Sequence, residues 1–295
     1  MSFFVSIIPF DHSIGIAPLL YSVGDLTRSD LRIGQIVEIP YGNKRENGII
    51  AEIYAECPID ELSEAYARIK PISHIVTDKI LLTPYQINMI VAIATRYMIP
   101  IHRVLAIFLT RPLLSRLERK NYEQLVNTEV IVQEERSRQT HIVQDTIVTP
   151  ELVETYTQEG PTIVILPDDY AMIPYKEYCK DRKDILFVSS DMTDVGKAQA
   201  WIDIVNGKFR VIYGTRRIIY YNLSEYTHIL YIEDALGPDY WHYPIRINYS
   251  DILDIFRVAN PNKNIIILTS MATLSTLVNF RNYPIENISA LGKKI

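Results

Sequence analysis

Cysteine is nearly absent from this chain: of 295 residues, only Cys57 and Cys179 carry a thiol. They lie far apart, and neither has a His or Cys neighbour at ligand spacing. That excludes a structural zinc or a disulfide framework and suits the reducing cytoplasm. Long apolar runs are missing too. A spanning helix needs roughly 18 consecutive apolar residues, and charges and prolines break even the greasiest stretch, 97–117. The opening MSFFVSIIPF has no basic segment and meets Pro9 and Asp11 before a signal core could form. The expectation is a soluble protein with no membrane contact. Six histidines (His12, His74, His102, His141, His228 and His242) do not cluster, and neither Gly-x-Ser-x-Gly nor His-Glu-x-x-His occurs. Hydrolase chemistry therefore has no motif, and no metal or other cofactor is implied. Excess positive charge is the last absence. Non-specific DNA affinity comes from Lys and Arg neutralising phosphates, and with a net charge of −5 any nucleic-acid site must be local.

What is present is apolar enough for two compact domains, at 48% hydrophobic and 22% charged. The densest basic segment is 96–120, where Arg96, Arg103, Arg111, Arg116, Arg119 and Lys120 face a single acid, Glu118. Such a run is either a phosphate-binding surface or the solvated side of an amphipathic helix pair.

Residues up to about 76 read as short strands at 3–8, 36–39, 48–53 and 69–75. Gly15, Pro18, Gly24, Gly34, Pro40, Gly42 and Pro58 punctuate them, predicting a small barrel or twisted sheet. Thr83-Pro84 then opens a helix, with Thr83 as N-cap and Ile87, Ile90, Val91 and Ala94 at helical spacing; a second helix starts near Ile101. Polar residues dominate from 121 to 158, apart from a short apolar run near His141. From Pro161, apolar runs at 162–166, 185–188, 210–213, 228–232 and 264–269 alternate with helix-like segments, the pattern of a parallel sheet covered on both faces. The predicted organisation is mixed α/β: a β-rich domain with helices over 1–120, a linker region over 121–160 and a parallel α/β domain over 161–295.

Three linked features of the first half carry a resemblance: Ile33-Gly34, the strand Val37-Glu38-Ile39-Pro40-Tyr41-Gly42, and Asn47-Gly48-Ile49-Ile50-Ala51-Glu52-Ile53. Ile69-Lys70-Pro71-Ile72, Leu82-Thr83-Pro84 and Arg96-Tyr97-Met98-Ile99-Pro100 continue it. In this order and spacing they resemble the N-terminal 3′ DNA-binding domain of the bacterial replication-restart helicase family PriA. The second half resembles that family's first, RecA-like helicase lobe through Ile165-Leu166-Pro167-Asp168-Asp169-Tyr170-Ala171-Met172-Ile173-Pro174, Arg210-Val211-Ile212-Tyr213-Gly214-Thr215-Arg216 and Ser270-Met271-Ala272-Thr273. Around 121–140, where the family carries a winged helix, the resemblance lapses.

The departures bear on function. An ATPase of this class needs Gly-x-x-x-x-Gly-Lys-Ser/Thr, so that backbone N–H groups can close around phosphates. Between Lys120 and Gly160 there is no Gly and no Lys, and neither Gly196-Lys197-Ala198 nor Gly292-Lys293-Lys294 supplies a second copy. The family's Asp-Glu-x-His falls on Glu233-Asp234-Ala235-Leu236, and the chain ends about where the second lobe would begin. The expectation is a protein that is not an ATPase. The resemblance implies that a strand's 3′-terminal nucleotide is held by a Phe-Asp pair, by the Gly at Gly42 and by the Lys at Lys70. The Phe-Asp pair falls on Leu19-Leu20. Tyr41 is a candidate replacement stacking face, and Asn43, Lys44 and Arg45 complete the candidate turn with Tyr41, Gly42 and Lys70. In the plain alternative, Tyr41 packs over its strand and Lys70 is an ordinary surface charge. The aromatic run Tyr240-Trp241-His242-Tyr243 either stacks bases or packs a loop. Two functions stay open: an ATP-independent binder of forked or single-stranded DNA that works with replication or primosome proteins, and a scaffold that acts through protein contacts alone.

Overall fold

The computed structural model describes residues 3–11, 15–24, 28–60, 63–125, 140–144, 148–233, 240–241 and 247–287. The chain divides into two compact units, Met1–Val130 and Ile131–Ile295.

In the N-terminal unit, β1 (Phe4–Pro9), β2 (Leu19–Ser22), β3 (Gln35–Tyr41), β4 (Lys44–Tyr54) and β5 (His74–Ile80) form an antiparallel sheet in the order β2-β1-β4-β3-β5. Its two edges meet through Ser22. The Ser22 N–H donates to the Lys70 carbonyl at 3.0 Å, and the Ile72 N–H donates to the Ser22 carbonyl at 2.9 Å, so the chain entering β5 closes the sheet into a barrel. Val5, Ile7, Tyr21, Val37, Ile39, Ile50 and Ile72 fill the interior. The strand expected at 69–75 begins instead at His74, because Pro71 has no N–H and cannot continue a ladder. β2 lies outside the expected strands; its four residues are too few to display a period.

Gly34 fixes the base of the β3–β4 hairpin. Its N–H donates to Ile50 O at 2.8 Å and its carbonyl accepts from Leu81 N–H at 2.9 Å. Its φ is +88°, and a Cβ there would lie 1.8 Å from the Leu82 carbonyl oxygen. Only glycine fits so close a backbone approach.

Helix α1 (Pro84–Tyr97) starts as its sequence predicts, with Thr83 as N-cap and Pro84 in the first turn, and Gln86 completes a capping box that the sequence reading did not include. Gln86 N–H donates to Thr83 Oγ1 at 3.4 Å, and Thr83 N–H donates to Gln86 Oε1 at 3.0 Å. The helix ends at Met98, whose φ of 53° is left-handed. α2 (Ile101–Phe108) and α3 (Arg111–Arg119) follow.

The C-terminal unit contains β6 (Thr140–Gln144), α4 (Pro150–Thr157), β7 (Thr162–Leu166), α5 (Ile173–Tyr178), β8 (Ile185–Val188), α6 (Asp194–Val205), β9 (Val211–Thr215) and β10 (His228–Glu233). A two-stranded ribbon, β11 (Tyr240–Trp241) and β12 (Ile247–Asn248), comes next, then α7 (Tyr249–Ala259), β13 (Asn264–Thr269), α8 (Leu274–Asn279) and β14 (Ile285–Asn287). Seven strands form one parallel sheet in the order β14-β6-β13-β10-β7-β9-β8. Every residue of β7 and β10 is buried, so both faces of the sheet are covered there, as their unbroken apolar runs require. The expected mixed α/β architecture is thus present. The span read as a linker, 121–160, contributes a strand and a helix to this unit: β6 pairs with both β13 and β14, and α4 buries Val153 in the core. Two apolar residues, Ile142 and Val143, are too short a run to announce a strand.

Lys263 is buried, and its Nζ donates to the carbonyls of Leu223, at 2.7 Å, and Tyr226. Burial lowers its pKa from 10.5 to about 8. In that window the unfolded chain holds a proton that the folded chain has lost, so stability rises as pH increases. Denaturation midpoints of the wild type should therefore gain on those of Lys263→Met as pH rises above about 8, a comparison in which the opposing titrations of the buried Cys179 thiol and of the tyrosines cancel. Gly34→Ala should cost at least about 2 kcal/mol, read from urea unfolding of the N-terminal unit.

Candidate nucleic-acid interface

The β3–β4 hairpin carries five of the six candidate residues. Tyr41 pairs with Lys44 and Pro40 with Arg45, leaving Gly42-Asn43 as a two-residue turn. Gly42 has φ +59° while Asn43 keeps a negative φ, the requirement of a II′ turn at its first central position. Gly42, Asn43, Lys44 and Arg45 are exposed and Tyr41 is half-buried. A Cβ on Gly42 would meet nothing within 4 Å, so the tip is open. Arg45 leans back along β3, its Nη1 3.1 Å from Glu38 Oε1, and His74 Nδ1 lies 3.6 Å from the same oxygen. Lys44 is exposed at the tip, with no ion pair among the described residues.

Tyr21 ties β2 to this end of the barrel. Its hydroxyl donates to Pro40 O at 3.2 Å. Burial first, and then the neighbouring Tyr41 and Glu46, push its pKa up to about 12, so it stays a neutral donor. Lys70 lies toward the same end. Glu38 is opposite His74 and its carbonyl accepts from Ser73 N–H at 2.8 Å; from that pair β3 runs on to Tyr41 and Gly42, while the antiparallel partner runs back to Lys70. The Lys70 carbonyl is held by Ser22 and its side chain is exposed. The turn and Lys70, 28 positions apart in sequence, thus converge on one rim.

Leu19 and Leu20 behave differently from each other. Leu19 sits opposite Ile7 and packs against the barrel core, whereas Leu20 sits opposite Ser6 on the outer face. There it lines a cavity of about 400 Å³ with Ser6, Glu52, Tyr54, Ile87, Asn88 and Val91, between the sheet and α1. Sequence reasoning missed this cavity, because its walls come from segments with no common motif.

In the C-terminal unit, Glu233 ends β10 and is buried. Its carboxylate accepts from Thr273 Oγ1 at 2.8 Å, from Thr273 N–H at 3.3 Å and from the Thr276 hydroxyl. Thr273 in turn caps α8, accepting from Thr276 N–H at 3.2 Å. The acid therefore clasps the β13–α8 turn, the segment Ser270-Met271-Ala272-Thr273 singled out above. Asp234, Ala235 and Leu236 lie outside the described residues, as do His242 and Tyr243; the backbone of Tyr240 and Trp241 forms β11. Among the described residues no group of His, Cys, Asp and Glu could hold a metal ion, and no helix is long and apolar enough to cross a membrane.

Residues 16–110 match the family model of the PriA 3′ DNA-binding domain (3′BD). The matched span holds the turn, Lys70, the barrel closure and every residue lining the cavity except Ser6. Among solved structures, the chain is similar to the Hef helicase domain of Pyrococcus furiosus, with 15% identity and a TM-score of 0.38 over 51% of this chain and 34% of that one. No curated protein matches it.

The Glu233 clasp has a measurable weight. Hydrogen bonds to a buried charged acceptor contribute about 1.5–3 kcal/mol, so Glu233→Ala should destabilise the C-terminal unit by at least about 2 kcal/mol in chemical denaturation.

Proposed function

We propose that this chain binds DNA through the barrel rim of its N-terminal unit and does so without hydrolysing ATP, in replication restart, recombination or repair. The observation that carries the reading is the convergence of Tyr41, Gly42, Asn43, Lys44 and Arg45 with Lys70 on one rim, inside the span that matches a 3′ DNA-binding domain. An open glycine tip lets a sugar or base approach the backbone closely. Tyr41 offers a ring for stacking, and Lys44 and Lys70 offer charge to phosphates. With leucines at 19 and 20, end recognition rests on these groups rather than on a carboxylate.

The ATP-independent part of the proposal is supported by two features. No Gly-x-x-x-x-Gly-Lys-Ser/Thr occurs in the chain, and the connection from β6 to α4, 145–149, contains neither Gly nor Lys. Glu233 is also engaged by two threonines, an arrangement that opposes a free metal-facing carboxylate. The parallel α/β unit then serves as a platform for replication or primosome proteins. A second reading, a scaffold without DNA affinity, draws on the net charge of −5 and the packed Leu19.

Fluorescence anisotropy with forked DNA bearing a free or blocked 3′ end, at several salt concentrations and with or without ATP, separates the readings. The expected result is binding that weakens steeply with salt, ignores ATP and prefers the free end. Lys70→Ala should lower the slope of log K against log salt by about 1. Absence of binding at low salt leaves only the scaffold.

A further inference from the structure

The rim is not the only basic feature of the N-terminal unit. Before residue 96, Asp and Glu outnumber Lys and Arg, whereas 96–120 reverses the balance with six basic residues against Glu118. The structure places part of that excess on α3. This helix buries Leu113 and Leu117 and exposes Arg111, Ser115, Glu118 and Arg119, with exposed Lys120 at its C-cap. The Arg119 Nε–H donates to the Ser115 carbonyl at 3.0 Å, which lays the guanidinium along the helix surface.

Two further contacts anchor the start of α3 beside the candidate turn. Arg111 Nη2 lies 3.0 Å from Asp11 Oδ1. The Asp11 N–H in turn donates to Glu46 Oε1 at 2.7 Å, and Glu46 sits opposite Ile39 in the ladder that ends at Gly42-Asn43. Phe10 N–H donates to Asn47 O at 2.9 Å and secures the same crossing. Arg111 is thereby partly neutralised and serves as the tether, while Arg119 and Lys120 carry the outward charge one helix length away. Nine residues of α-helix span about 13 Å, or roughly four nucleotide steps at 3.4 Å each.

We propose that the exposed face of α3, through Arg119 and Lys120, is a second DNA contact, receiving the phosphate backbone of the duplex that adjoins the strand end held at the β3–β4 turn. The proposal rests on the DNA-binding reading above and extends it past the matched span, since α3 begins at residue 111. Phosphate contacts of this kind position a duplex without reading its sequence. The competing role for two cations at a helix C-terminus is to offset the helix dipole, which acts on stability alone.

The test is anisotropy of the full chain with a duplex carrying a free or a blocked 3′ end, across a series of KCl concentrations, for wild type and Arg119→Gln/Lys120→Gln. The expected result is a slope of log K against log salt lowered by roughly 2, with the free-to-blocked preference retained. Arg119→Lys should recover the part of the slope that belongs to that position, and thermal melting confirms that each variant is folded. An unchanged slope in a folded double variant overturns the α3 contact while leaving binding at the rim intact. Loss of the end preference along with the slope overturns the idea of a second, separate contact. Wild-type protein that fails to bind at low salt removes both proposals together.

Discussion

Closure of the N-terminal barrel depends on the backbone of one residue at the end of its shortest strand. Ser22 donates to Lys70 and accepts from Ile72, and those two bonds join edges that would otherwise both lie open to solvent or to another chain. The closure also sets the geometry of the rim. Because the returning segment passes Ser22 before pairing with β3, Lys70 is carried to the end of the barrel where the turn emerges, and Tyr21, next to Ser22, reaches Pro40 beneath that turn. Pro71 contributes by a missing group. Without an N–H it cannot extend β5, so the segment is released from β3 to bond with β2.

The C-terminal unit follows a different logic. Its central strands β7 and β10 are buried on both faces, and the buried carboxylate lies where β10 ends. Glu233 shows how a carboxylate in that position can be structural: two hydroxyls and an N–H surround it, and the turn they belong to opens a helix. A buried charge needs such partners, and here they come from the two threonines that begin α8.

Legibility in the sequence varied with the range of the interaction involved. The start of α1 could be read directly from Thr83 and Pro84, since an N-cap and a first-turn proline are local chemistry; the return bond from Gln86 emerged with the structure. The strands at 162–166 and 228–232 were equally plain as apolar runs. β6 and β2 were not, because short segments acquire strand geometry only from neighbours distant in sequence. The same holds for the candidate site. The turn residues were recognisable from Gly42 between two strands and from the family pattern. The tether from Arg111 through Asp11 to Glu46, and the cavity lined by Leu20, depend on side chains brought together across the fold.

The β3–β4 hairpin is rigid at one end and unencumbered at the other. At its base, Gly34 faces the Leu82 carbonyl with no room for a single carbon, and Gly48 is pressed against Ile7 and Ile8 in the same way. A shift of register by one residue would drive a side chain into a backbone and turn the core face outward. At Gly42, by contrast, nothing stands within 4 Å. The tip is therefore the one part of this hairpin whose length and side chains can change without disturbing the barrel beneath it.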